Sequence, residues 1–211
     1  MRLIACLLAT LTTLATAELD TAPLEAWLAK QSRVRSLEAD FIQERTLPAL
    51  RKPVSTPGTF SMQKPGKMRW ELGEPVKTLA VSDGTTMTLV DVEKKRARQI
   101  SADSARAKPF TLLADGALNG DLEGFKKTFD LIESRVTNGI YQLTARPRDR
   151  NLRDKVQWVF LDIDPKTQLL RAMEIQLDDK SRIRTIFSNS RINPRIPAER
   201  FTADLSGYKV Q

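Results

Sequence analysis

Asp162-Ile163-Asp164 begins like a calcium loop, in which carboxylates two residues apart converge on one hard cation. The turn glycine and closing glutamate of such a loop do not follow, so the pair reads as a strand-end turn. Histidine is absent from the whole sequence, which removes the commonest general base and the commonest zinc ligand. The single cysteine, Cys6, lies in an N-terminal apolar run, so the chain beyond it has no disulfide, thiolate nucleophile or cysteine metal site. Neither a glycine-rich phosphate loop nor a dinucleotide fingerprint occurs. With no nucleophile–base pair to name, the chain is predicted not to be an enzyme and to use no metal or cofactor. The residues left to carry a function are apolar: Met68, Trp70, Leu79, Val81, Met87 and Leu89. Periodicity alone makes them plain core. A long twisted sheet with few helices must also close or fold over a shallow interior, and such interiors often hold a ligand. Methionines fill or yield that space readily, so both readings stand on the residues alone.

The N-terminus bounds the compartment. Met1-Arg2 precedes an apolar run from Leu3 to Leu14, and Ala15-Thr16-Ala17 supplies a small-x-small cleavage site. That order predicts a secretory signal over residues 1–17, cleaved after Ala17, and a periplasmic single domain over residues 18–211. Leu3-Ile4-Ala5-Cys6 has the letters of a lipobox, but only two residues precede it where an apolar segment must stand. Residue 18 is Glu18, which argues against an anchored receptor. Lys and Arg outnumber Asp and Glu 34 to 26, a net charge of +8. Basic residues are spread along the chain with no binding motif, so nucleic acid is not an expected partner, whereas acidic lipid headgroups or acidic proteins are compatible. Lys94-Lys95-Arg96-Ala97-Arg98 is a local basic cluster, read as a solvated sheet edge or a docking patch.

These residues sit in a pattern that is mostly β with a few helices. Asp20 or Thr21 caps a first helix with Pro23 in its first turn, and Leu24, Trp27, Leu28 and Val34 follow at helical spacing. Alternation then takes over from Leu37, through Phe60 and Met62, to Met68, Trp70 and Leu72. Asp83-Gly84 and Asn138-Gly139 are two-residue hairpin signals. Asp164-Pro165-Lys166-Thr167 and Asp178-Asp179-Lys180-Ser181 separate three further strands of a long antiparallel meander. A short helix is predicted at residues 108–114 with Pro109 early in it, and another turn at residues 121–126.

Phe41-x-Gln43, Gly58-x-Phe60, Lys64-Pro65-Gly66-Lys67-Met68-Arg69-Trp70-Glu71 and Leu79-x-Val81-Ser82-Asp83-Gly84 occur in that order. With Pro109-Phe110-x-Leu112-Leu113-Ala114, and more loosely Arg200-Phe201 and Gly207, they resemble the outer-membrane lipoprotein carrier family (LolA-like) over nearly the whole chain after the signal. The resemblance implies an open, half-closed antiparallel β-barrel covered by a helical lid. It implies a carrier and chaperone that receives acylated lipoproteins from an inner-membrane ABC transporter complex. The cargo then passes to an outer-membrane lipoprotein receptor, with no covalent chemistry. On this footing Met68, Trp70, Leu79, Val81, Met87 and Leu89 line the acyl-chain cavity, with Phe110 and Leu113 in the lid helix.

Lys64 stands where family members place an arginine that ties the lid to the barrel through backbone carbonyls. Lysine donates to a carbonyl but lacks the guanidinium fork, so a latch at Lys64 and one moved to Arg69 are both open. Gln31 falls where an apolar residue of the first lid helix is expected. The segment 45–53 also differs from the best-known carriers and is similar to family relatives whose cargo is not established. A monomeric lipoprotein carrier is therefore the first expectation. A carrier of another amphiphile, such as a glycolipid or a lipid-linked pigment, and a periplasmic lipid-binding sensor are the alternatives.

Overall fold

A computed structural model describes residues 19–104, 107 and 121–211. The signal expected at residues 1–17 and the helix expected at residues 108–114, with Phe110 and Leu113, lie outside them. Among the described residues the order is α1 (Ala22–Ser32), β1 (Ser36–Thr46), β2 (Val54–Gln63), β3 (Lys67–Leu72), β4 (Thr78–Asp83), β5 (Thr86–Asp91) and β6 (Arg96–Ser101). Then come α2 (Leu122–Thr128), β7 (Phe129–Thr137), β8 (Ile140–Pro147), α3 (Arg150–Arg153), β9 (Val156–Asp164), β10 (Leu169–Leu177) and β11 (Arg182–Ile192). A 3-10 turn (Ala198–Phe201) and β12 (Lys209–Val210) end the chain.

All twelve strands join one sheet in the order β12-β6-β5-β4-β3-β2-β1-β11-β10-β9-β8-β7. Every pairing is antiparallel except that of β12 with β6. The architecture is mostly β as expected, but the sheet is not closed: β7 and β12 are its two edges, so a barrel is matched only in part. The two hairpin signals hold for a local reason. Gly84, Asn138 and Gly139 all take positive φ, the conformation that a two-residue turn of the right twist demands.

Side chains alternate between faces, and the registers carry that alternation from strand to strand. The inner face is the one on which α1 and α2 lie. There Leu24, Trp27 and Leu28 of α1 and Phe125 of α2 pack with Phe129, Tyr141, Leu143, Val159, Leu161 and Ile163 into the main core. Asp121 caps α2 by accepting from the Gly124 N–H. The helix therefore runs further than the single turn expected there.

The outer face of β3 to β6 is covered by the C-terminal segment, an arm that periodicity did not reveal. Ala203, Leu205 and Tyr208 pack on Leu79, Val81, Val90 and Ala97. Arg69 donates to the carbonyls of Arg200 and Thr202 (3.3 and 2.9 Å), and Arg200 pairs with Glu71 at 2.6 Å. The basic cluster at residues 94–98 forms the β5–β6 turn and the start of β6. Its four cations are exposed, as a solvated edge requires, although β12 pairs with Arg96 and Ala97 and Lys95 lies 5.0 Å from the Tyr208 ring centroid.

Burial pushes the Glu71 carboxyl up, but hydrogen bonds from Arg69 and Thr59 and the charges of Arg69 and Arg200 outweigh it and hold it below the usual glutamate range. A depressed carboxylate adds stability that is complete above its unfolded value and is lost as the pH falls through its folded value. Acidification through and below the glutamate range should thus lower the thermal midpoint of the native chain more steeply than that of Glu71→Gln. Parallel midpoint-against-pH curves for the two proteins would show that Glu71 does not hold the arm.

Candidate functional site

The inner face carries a second apolar cluster, distinct from the core under α1. Met68 (β3), Met87 (β5) and Ala107 are buried at its floor, and Phe60, Met62, Trp70, Leu89 and Ile100 pack around them while remaining partly exposed. Register explains the grouping: Phe60 lies opposite Trp70, Met62 opposite Met68, and Met87 opposite Ile100. An aromatic group joins this cluster to the centre of the sheet. The Trp70 ring centroid stands 4.2 Å from that of Phe41, 5.6 Å from Phe60 and 6.5 Å from Phe187. Phe41 fits because residue 58 is glycine: a Cβ there would lie 2.2 Å from Phe41 Cζ and 2.4 Å from the Glu71 carbonyl oxygen. The Gly58-x-Phe60 motif is thus a packing requirement of this face.

Two tight turns set the rim. Gly66 and Gly84, both at positive φ, bring the β2–β3 and β4–β5 turns together so closely that a Cβ on Gly66 would sit 2.9 Å from Gly84 Cα. Ser82 Oγ donates to the Gly66 carbonyl at 2.9 Å and locks the pair. This contact places Lys64 beside the end of α1, where its Nζ donates to the Gln31 carbonyl at 3.1 Å. Burial pushes the Lys64 pKa down, so desolvation opposes the charged donor even as it bonds.

α1 is fastened elsewhere too. Tyr141 and Ser134 hydroxyls donate to the Asp20 carbonyl at 2.7 and 3.2 Å, and Lys30 Nζ donates to the Thr167 carbonyl at 2.6 Å. Leu24 and Leu28 have no exposed surface and Trp27 only 3%. Exposing three such side chains costs several kcal/mol, at roughly 1.5–3 kcal/mol each. Lys64 meets α1 at its last turn, at Gln31, the same turn that Lys30 ties to Thr167.

The expected cavity set is therefore divided by the sheet. Met68, Trp70, Met87 and Leu89 come together on the inner face. Leu79 and Val81 do not join them: Trp70 lies opposite Ala80 and Met68 opposite Ser82, which turns Leu79 and Val81 to the outer face beneath the C-terminal arm. Arg69 is likewise on the outer face, committed to Glu71 and the arm, so among the described residues Lys64 is the latch candidate that reaches α1. Phe41, Phe60, Met62, Ile100 and Phe187 belong to the inner face and were missed as site residues. The in-phase alternation of Phe60 and Met62 with Trp70 was the available signal. Asp164 accepts from the Lys166 and Thr167 N–H groups and pairs with Arg171 at 2.7 Å, the strand-end turn that was expected.

The profile of the family described as "Outer membrane lipoprotein carrier protein LolA" matches residues 32–204. The chain belongs to the LolA family. It is similar to an outer-membrane lipoprotein carrier protein of Dechloromonas aromatica, 33% identical over 171 residues that span 79% of this chain and 76% of the relative. A relative of the same description from Bordetella avium is 28% identical over 84% of this chain and 79% of its own. The fold resembles that of an uncharacterized conserved protein of Thermus thermophilus, with a TM-score of 0.53 at 7% identity, covering 91% of this chain and 99% of that one.

In this LolA-family chain the burial of α1 separates core from latch. Leu28→Ala should cost about 2–5 kcal/mol in urea unfolding, whereas Lys64→Leu should cost no more than about 1.5 kcal/mol. Equal losses would make Lys64 a core support. Gly58→Ala should cost about 1–3 kcal/mol through overpacking against Phe41, an effect that Phe41→Leu should partly relieve.

Proposed function

We propose that this chain is a periplasmic carrier that takes up the acyl chains of lipoproteins on its inner face and conveys them from the inner to the outer membrane. One observation carries the reading: Phe60, Met62, Trp70, Leu89 and Ile100 form a contiguous apolar surface that stays partly exposed beside a helix end held by Lys64. The naming of its relatives as outer-membrane lipoprotein carriers supports this cargo. No described helix is long and apolar enough to cross a membrane, which is compatible with transfer through an aqueous compartment. Each acyl methylene removed from water contributes about 0.8 kcal/mol, so a single chain supplies on the order of 10 kcal/mol for binding.

The proposed partners follow from that direction of transfer. An inner-membrane ABC transporter complex loads the carrier, and an outer-membrane lipoprotein receptor unloads it. The lid is assigned, from the family resemblance, to the last turn of α1 together with the segment that carries Phe110 and Leu113. Ala107, buried against Met68 and Met87, brings the chain onto the inner face. Lys64 is the latch, and the hydrogen bond from its partly exposed ammonium contributes up to about 1.5 kcal/mol. That is enough to shift an open–closed balance up to roughly ten-fold.

Mass spectrometry of material that copurifies from the periplasm identifies the cargo directly. A lipoprotein acyl moiety supports the reading, and a glycolipid or lipid-linked pigment would replace it with the carrier of another amphiphile. Leu89→Glu should abolish uptake of a fluorescent acyl probe with little loss of stability, because its half-exposed position lets the carboxylate reach water. Lys64→Leu should load normally and release cargo to the receptor more slowly, since closure no longer helps expel it. Wild-type uptake by Leu89→Glu would refute the assignment of the inner face.

A further inference from the structure

The β1–β2 hairpin extends beyond the end of the sheet, and its tip is used by nothing described above. Thr46 pairs with Arg182 at the start of β11, and β2 resumes at Val54, opposite Arg45. Residues 47–53 therefore project past the neighbouring β10–β11 turn. The tip is a closed turn, with the Leu50 N–H donating to the Leu47 carbonyl at 2.9 Å. Leu50 is 47% exposed and Val54 49%, while Leu47 is half-buried. Arg45, Arg51 and Lys52 are exposed around them, and none makes an ion-pair contact among the described residues. The sequence has no carboxylate between Glu44 and Glu71. The nearest acids along the sheet end, Asp178 and Asp179, sit in the shorter β10–β11 turn. There Ser181 engages Asp179 by hydrogen bonds, and the charge of Arg45 adds a weaker pull.

We propose that this tip docks on an anionic phospholipid surface, with Leu50 entering the headgroup–acyl boundary and Arg45, Arg51 and Lys52 held by lipid phosphates. Two features select a bilayer over a protein. A tip of three aliphatic side chains is far smaller than the roughly 800 Å² per partner that a specific protein interface buries. At an anionic membrane, by contrast, isolated cations and single apolar side chains contribute independently, at about five-fold in affinity for each cation. The tip also lies at the opposite end of β2 from Lys64. Ten residues at about 3.3 Å each put the two on the order of 30 Å apart, so docking leaves the latch end free.

Flotation with vesicles of phosphatidylglycerol and phosphatidylethanolamine, against pure phosphatidylcholine, tests the assignment. The native chain should bind the anionic vesicles alone and lose that binding as salt is raised. Arg51→Glu with Lys52→Glu should weaken it by at least about twenty-fold, and Leu50→Ser several-fold. Both variants should keep the native thermal midpoint and acyl-probe uptake, which separates this proposal from the carrier reading. Because Cys6 is the only cysteine, Leu50→Cys in a Cys6→Ser background accepts a single environment-sensitive dye. Its emission should shift to the blue on adding anionic vesicles. The proposal is overturned if the native chain ignores those vesicles, if both tip variants bind them as the native chain does, or if the dye at position 50 does not shift.

Discussion

A single sheet of twelve strands presents two faces, and among the described residues short helices and a C-terminal arm are what can cover them. The helices suffice for only part of that task. α1 and α2 close the inner face over β7 to β10 with a core whose largest side chains are wholly buried. The outer face of β3 to β6 is closed by the C-terminal arm, with Arg69, Glu71 and Arg200 fixing it to the strands. The inner face of β2 to β6 is left with two buried methionines and a ring of half-exposed apolar residues. Among the described residues this quadrant is covered less than the other two, and its apolar side chains stay partly exposed.

The same division limits what can move. The buried side chains that anchor α1 outweigh the single contact at Lys64, so the helix belongs to the core. Desolvation of the Lys64 ammonium works against the charged donor that bonds Gln31. An arginine at the same place would bring more donors in a fixed fork.

Much of this was legible in the sequence because hairpin chemistry is local. Asp83-Gly84 and Asn138-Gly139 announce their turns through residues that tolerate positive φ, and the strands flanking them follow. The distribution of residues between faces was less legible. Residues 73–77 set the register of β3 against β4, and that irregular connection decides whether Leu79 or Ala80 shares a face with Trp70. A shift of one residue moves a whole strand's side chains to the other face, which is why Leu79 and Val81 were grouped with the wrong partners. The arm and β12 escaped for another reason: two paired residues and a 3-10 turn have no periodicity to detect. The role of Lys64 came from family resemblance, since a lone lysine before a proline carries no signal of its own.

β3 compresses the molecule's two obligations into six residues. Met68, Trp70 and Leu72 look inward, and Lys67, Arg69 and Glu71 look outward or to the rim. Heritable change in this strand is therefore sorted by parity. Substitutions at one set of positions change the packing of the inner surface around Trp70, while those at the other threaten the attachment of the arm. The pleat thus lets the two surfaces of a single strand vary separately.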